Sequence, residues 1–190
     1  VRALETAEAV FATKRLAALS PKAEVCAFSE LAERAIQCTE KHISLLVSGD
    51  VGFFSAAGKL RERLLPYGGV TLVPGLSSMQ YMCAKCGISY ENLCFKSLHG
   101  RTGNILGAIS YHAATFALTG GENNVQAVCN SLTDAGLGAL SVNLGENLGA
   151  ENERIVHGTA AEIAQLSCPD LAVLLIENPR VANKNGPIRD

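Results

Sequence analysis

Short apolar runs alternate with stretches of helical period along this chain, and nearly every apolar run ends in a loop rich in Gly, Ser, Asp or Asn. Residues 43–47 are apolar with β-branched Ile43 and Val47 at the ends, and read as a buried strand. Residues 55–65 then carry Ala57, Leu60 and Leu64 among Lys59, Arg61, Glu62 and Arg63, the pattern of an amphipathic helix. Pro66-Tyr67-Gly68-Gly69 breaks it. Residues 70–73 predict another strand, stopped by Pro74-Gly75; Ser77 or Ser78 can cap a helix to Cys86, which Gly87 ends. The second half repeats the theme. Strands are predicted over 93–98, 113–118, 140–144, 154–157 and 171–177, and helices over 104–112, 123–134 and 159–166, with Gly136 closing the second of these helices. Residues 1–19 read either as one helix or as a short strand at 9–12 between two helices, and residues 178–190 as a polar tail. Such alternation predicts an α/β protein: two αβα units with mostly parallel sheets, spanning 1–92 and 93–190, with the seam at 88–92.

Composition narrows the partners. Of 190 residues 48% are hydrophobic and 18% charged, enough for a packed core. The net charge is −2, so neither a basic nucleic-acid footprint nor a basic membrane-surface patch is present. The longest apolar stretches, such as 171–176, are far too short to span a bilayer, and the chain does not open with a basic segment followed by an apolar one. The expectation is a cytoplasmic protein with no nucleic-acid or membrane partner. Seven cysteines at irregular spacing suit small buried hydrophobes in a reducing compartment. Cys83-Ala84-Lys85-Cys86 is formally a C-x-x-C, but no second pair follows and it falls in an apolar helical stretch. Helix packing is favoured there over metal or redox chemistry, and no metal is expected.

In open α/β sheets ligands bind beyond the carboxyl ends of the strands. The loops at those positions read Ser48-Gly49-Asp50-Val51-Gly52, Pro74-Gly75-Leu76-Ser77-Ser78, His99-Gly100-Arg101-Thr102-Gly103, Thr119-Gly120-Gly121-Glu122-Asn123 and Gly145-Glu146-Asn147. Any one of them could be only a tight turn. Together on one edge they point to a small-molecule cleft, because glycine lets backbone donors approach a ligand. The chain contains no G-x-G-x-x-G, no G-x-x-x-x-G-K-[ST] and no G-x-S-x-G.

Three elements resemble the signatures of the tetrapyrrole methylases: Ser48-Gly49-Asp50-Val51-Gly52-Phe53, Pro74-Gly75-Leu76-Ser77-Ser78, and His157-Gly158-Thr159-Ala160-Ala161-Glu162. Ser97-Leu98-His99-Gly100-Arg101, Gly145-Glu146-Asn147-Leu148 and Glu153-Arg154-Ile155 look most like the branch that methylates C5 of a corrin-ring precursor. Val51 stands where the family pattern has proline. The resemblance also implies a strand and a glycine-rich loop ahead of Arg2-Ala3-Leu4, and this sequence has neither.

The resemblance implies S-adenosylmethionine as cofactor, held between the two units. Gly49 would admit it against the backbone, Asp50 would take a hydroxyl or ammonium group or else cap the next helix, and Phe53 would pack on it or fill core. Ser77 and Ser78 would touch it or cap their helix. Leu118, Thr119, Asn143, Leu144, Gly158, Thr159 and Ala160 would form a far wall, mostly by backbone. His99 would assist proton transfer, or serve as a structural or carboxylate-binding group. Arg101 would pair with an acidic side chain of a corrinoid substrate. A homodimer and a C15-methylating and decarboxylating partner enzyme are further implications. The alternatives are another methylase of the same fold or a non-catalytic remnant.

Overall fold

Strand β1 (Ala9–Ala12) lies in the middle of a three-stranded sheet, between β2 (Ala23–Val25) and β3 (Ile43–Leu46), and both pairings are parallel. The structure, a computed structural model, describes residues 2–99 and 103–181. A strand bonded on both sides with both faces covered has to be apolar throughout. Accordingly Phe11 packs with Leu31 of helix α2 (Leu31–Gln37), while Val10 and Ala12, directed to the other face, are also fully buried. Leu60 of α3 (Ala57–Leu64) joins the same cluster as Phe11. The start of the chain takes the second of its two readings: a short helix α1 (Arg2–Thr6), then β1, then a single 3₁₀ turn at Ala17–Leu19.

Residues 70–73 depart from expectation. Val70-Thr71-Leu72-Val73 has the composition of a strand but joins no ladder among the described residues, and Leu72 and Val73 are exposed. Strand propensity is a fit to a pleated, half-buried surface, and without a neighbouring edge it has no effect.

The chain divides into units Val1–Ser77 and Ser78–Asp190, so the boundary falls one helix before the expected 92/93 seam. The reason lies in α4 (Ser78–Cys86), which packs with the second unit. Its Met82 reaches the backbone of Gly145, and its Lys85 Nζ lies 3.1 Å from Glu153 Oε1. Gly87 ends α4 with φ +67°, which lets the Ile88 N–H donate to the Cys83 carbonyl at 2.9 Å. Cys83 is a buried member of this helix, and burial pushes its thiol pKa up, as the packing reading requires.

The second sheet has the order β4-β5-β8-β6-β7, with β4 (Cys94–Ser97), β5 (Ala114–Leu118), β6 (Ser141–Glu146), β7 (Arg154–Thr159) and β8 (Ala172–Glu177). Only β4 and β5 pair in parallel; β5–β8, β8–β6 and β6–β7 are antiparallel. Mostly parallel pairing therefore holds for the first sheet and not for the second. The link from β6 to β7, residues 147–153, is too short for the crossover that a parallel pair needs, so the strand turns straight back. One face, with Ala117, Val142, Leu144, Leu174 and Ile176, packs under helices α5 (Ile105–Tyr111), α6 (Val125–Asp134) and α7 (Ala160–Ile163). Asn104 and Asn124 cap α5 and α6, their side-chain oxygens accepting the Gly107 and Ala127 N–H groups at 2.7 and 2.9 Å.

Candidate functional site

In the first unit the Ser48–Gly52 turn leaves the carboxyl end of β3. Gly49 has φ +75°, a conformation that suits glycine, and open space lies where its side chain would be. Asp50 bends the loop back on itself: its Oδ1 accepts the Gly52 N–H at 2.5 Å, and its carbonyl accepts the Phe53 N–H at 3.2 Å. That is a local turn bond rather than a cap of α3, whose first residue is Ala57. The Pro74-Gly75 loop comes directly against this turn, since a methyl group on Gly75 would stand 2.8 Å from the Gly49 carbonyl oxygen. Two of the sequence-predicted loops are thus in contact. A cavity of about 230 Å³ opens beside them at the ends of β1 and β3, lined by Thr13, Leu46, Val47, Ser48, Phe54 and Ser55 among others. The aromatics on its wall are Phe28 and Phe54, and Phe53 is not among its lining residues. Phe54 sits at φ +48°, is 43% exposed, and meets Phe53 edge-to-face with centroids 4.9 Å apart. Ser77 is buried at the end of this unit, and Ser78 opens α4 in the next.

In the second unit, β4, β5 and β6 point the same way, so His99, Leu118 and Thr119 share one edge. The His99 imidazole lies hard against Gly120, where any Cβ would come within 2.0 Å of Nδ1. Thr119 is buried, and its hydroxyl donates to the Ala172 carbonyl at 2.8 Å, so it can offer a ligand little beyond backbone. Leu144 has its side chain in the core, and its strand is bonded on both sides. Gly158, Thr159 and Ala160 belong to the opposite end of the sheet. Thr159 is in register with Ser141 and, through it, Glu177 and Ala114, whereas Leu118 is in register with Val173 and Gly145. Four residues along the strands and three strands across separate Thr159 from Leu118, roughly 13 Å by 14 Å. The expected wall is therefore two separate groups. Arg101 lies outside the described residues.

Thr159 and Glu162 have a local role that explains the spacing of G-T-x-x-E. The Thr159 hydroxyl accepts the Glu162 N–H at 3.2 Å and donates to Glu162 Oε2 at 2.9 Å, while the same oxygen accepts the Thr159 N–H at 2.8 Å. This is a capping box on α7, and the backbone bond from Thr159 is the first cause of the lowered Glu162 pKa.

Sequence reasoning missed a row of polar side chains on the sheet face opposite α5 and α6. Asn143 Oδ1 lies 3.0 Å from His157 Nδ1, and Glu177 Oε1 accepts from both Asn143 Nδ2 and Ser141 Oγ at 3.4 Å. The signal was the alternation Ser141-Val142-Asn143-Leu144, polar and apolar by turns, but the partners on β7 and β8 depend on register. The elements Gly145-Glu146 and Glu153-Arg154 also converge. Glu146 pairs with Arg154 across β6 and β7, with Arg154 Nη2 to Glu146 Oε1 at 2.9 Å and Nε bonded to Oε2. Hydrogen bonding from Arg154 holds the Glu146 pKa below the usual carboxylate range, against the opposing effect of burial. The Cys168 thiol beside it is pushed up to about 11, first by burial and then by Glu146.

The first unit has a parallel sheet with an open glycine turn at a strand end, the second a mixed sheet with Gly-rich loops, and both are of α/β type. The model of the Tetrapyrrole (Corrin/Porphyrin) Methylases matches residues 1–164, and the chain belongs to that family. It is 32% identical over 119 residues to the cobalt-precorrin-7 C(5)-methyltransferases of Salmonella typhimurium and Salmonella typhi, a stretch covering 61% of this chain and 57% of theirs. The match thus spans less than two thirds of those relatives' length. Among solved structures, uroporphyrin-III C-methyl transferase from Thermus thermophilus, complexed with S-adenosylhomocysteine, aligns with TM-score 0.69 at 21% identity, covering 93% of this chain and 88% of that one. Precorrin-6Y methylase from Archaeoglobus fulgidus aligns with TM-score 0.64 at 21% identity over the same shares. At such identities these likenesses concern the fold.

Proposed function

We propose that the chain is an S-adenosylmethionine-dependent methyltransferase that methylates C5 of a corrin-ring precursor in cobalamin biosynthesis. The observation that carries this reading is the 32% identity with a cobalt-precorrin-7 C(5)-methyltransferase, within a family match over residues 1–164. The first unit fits the cofactor. Gly49 leaves backbone open to a ligand, one Asp50 carboxylate oxygen is outside the turn bond, and Ser48, Phe54 and Ser55 line the adjoining cavity.

When bound, the cofactor supplies an electrophilic methyl group to a ring carbon. No covalent link to the protein is needed, so the work of the chain is alignment, worth ~7–11 kcal/mol in well-oriented systems. Gly49, Asp50 and Phe53 with its neighbour Phe54, then Ser77, are the contacts proposed on the first unit. On the second they are Ser78, Leu118, Thr119, Asn143, Gly158, Thr159 and Ala160, with backbone rather than hydroxyl expected to serve at Thr119 and Thr159. Arg101 is proposed to pair with a substrate carboxylate. His99, at the same edge as Thr119, is proposed as a second group for the substrate, either carrying a proton or donating to a carboxylate.

Among the described residues no helix is long and apolar enough to cross a membrane, and all seven cysteines are free thiols. A cytoplasmic place is consistent with that. A homodimer and a C15-methylating, decarboxylating partner enzyme complete the proposal. A dimer should sediment at about twice the 19.9 kDa chain mass and bury ~1,600 Å² or more. Calorimetric titration with S-adenosylmethionine tests the core of the reading. Saturable binding supports a methylase, whereas no binding leaves the non-catalytic alternative. Turnover of cobalt-precorrin-7 then separates the corrinoid branch from other methylases of this fold.

A further inference from the structure

The turn leaving β1 carries two adjacent cations, Lys14 and Arg15. It is closed at its base, where the Thr13 carbonyl accepts the Leu16 and Ala17 N–H groups at 2.9 and 3.1 Å. Thr13 and Leu16, on either side of the pair, both line the cavity of about 230 Å³ at the carboxyl ends of β1 and β3. Lys14 and Arg15 therefore stand on its rim. Both are exposed, and among the described residues neither makes an ion pair or a side-chain hydrogen bond. The wall below them is uncharged, with apolar Leu16, Phe28, Leu46 and Phe54 beside the hydroxyls of Ser48 and Ser55. Free cations above an apolar, partly aromatic wall match a ligand with an apolar body and carboxylates at its edge.

We propose that Lys14 and Arg15 bind peripheral carboxylates of the ring substrate, so that this rim selects an acidic macrocycle. The inference rests on the methyltransferase reading above and adds substrate-side residues on the first unit. Charge decides between the two ligands of that reading. S-Adenosylmethionine has one carboxylate but two cationic groups, the ammonium and the sulfonium, so a further pair of cations repels it on balance. A corrin precursor with several carboxylates is attracted to the same pair. The chain as a whole, with its net charge of −2, repels such a substrate, and a local cluster of positive charge offsets that where the substrate docks. Asp50, in the turn that follows Ser48, has the opposite sign and suits the ammonium of the cofactor, with one carboxylate oxygen outside the bond to Gly52. Arg15 can fork onto a carboxylate with two parallel N–H donors, whereas Lys14 acts as a mobile point charge.

Titrations on the full chain test it. Cobyrinic acid, a corrin whose side chains are free carboxylates, should bind at low salt, and its methyl ester should bind roughly tenfold or more weakly. The double variant Lys14→Gln, Arg15→Gln should bind the acid roughly tenfold or more weakly than the parent chain and lose most of the preference for acid over ester. Arg15→Lys should keep part of the affinity. The Kd for S-adenosylmethionine should stay within about twofold in every variant. Lys41→Gln is the control, since that exposed cation lies just before β3, at the other end of the sheet. Equal binding of acid and ester by the parent chain overturns the proposal, as does a loss in the double variant no larger than that in Lys41→Gln. Weaker S-adenosylmethionine binding in the double variant also overturns it, because the cations would then serve the carboxylate of the cofactor. In each of these cases the methyltransferase reading stands. Failure of the unaltered chain to bind S-adenosylmethionine sinks that reading and takes the proposal with it.

Discussion

The guanidinium of Arg154 forks onto the carboxylate of Glu146 across the β6–β7 pair, and Glu146 is 3% exposed while the arginine side chain remains half in solvent. Removing the arginine would strand a buried anion, which costs more than replacing both partners by apolar groups. Arg154→Ala should lower Tm by about 5 °C or more, and the double variant Glu146→Leu, Arg154→Leu by less. The sign with pH follows from the lowered Glu146 pKa. Its contribution is complete above the unfolded value of roughly 4.3 and is lost as pH falls through the lower folded value. Thermal melts of both variants from neutral to acid pH check this. An arginine deletion milder than the double replacement would contradict it.

The Gly49 and Gly75 loops should be sensitive for different reasons. At Gly49 space is free but φ is +75°, so Gly49→Val costs ~1–2 kcal/mol through backbone conformation. At Gly75 the obstacle is the Gly49 carbonyl, 2.8 Å from any Cβ, and a backbone group cannot rotate away. Gly75→Ala should separate the loops and weaken S-adenosylmethionine binding tenfold or more by calorimetry. Asp50→Ala should weaken it less. Affinity within twofold in all three variants would place the cofactor elsewhere.

Thr159→Ala removes the α7 cap and should destabilise by ~1 kcal/mol, with Thr159→Ser close to the parent. Urea unfolding monitored by circular dichroism measures both. Equal losses for alanine and serine would mean that the methyl group, rather than the hydroxyl bonded to Glu162, is what matters.

Gly145→Ala should be mild, below ~2 kcal/mol, although the new Cβ would stand 2.8 Å from Met82 Sδ. The obstacle is the end of a flexible thioether, which can move. Gly145→Val should be severe, and Met82→Ala should partly rescue it. Additive losses in the double variant would show that α4 does not press on this glycine.

The elements with strong local signals were legible in the sequence. Ile43–Leu46 and Ala172–Glu177 are apolar runs with turn residues beside them, and α4 and its Gly87 stop follow from composition alone. What depends on distant partners was not. Val70-Thr71-Leu72-Val73 looks like a strand until an edge fails to appear beside it. His157 was visible only as the residue before a Gly-Thr motif, because its bond to Asn143 exists only once β6 and β7 are in register. The separation of Thr159 from Leu118 was hidden for the same reason, since strand direction in a mixed sheet is set by connections rather than by side chains.

The last strand among the described residues is also the middle strand of its sheet: β8 lies between β5 and β6 and bonds to both. During synthesis β4 and β5 can pair as soon as they emerge, and β6 can pair with β7, but the two halves have nothing to join them until residue 177 has left the ribosome. Until then two strand edges, on β5 and β6, face water or each other in the wrong register. Nascent chains of this protein should need shielding until β8 has emerged, and protease sensitivity should drop in one step when β8 becomes available rather than gradually with length.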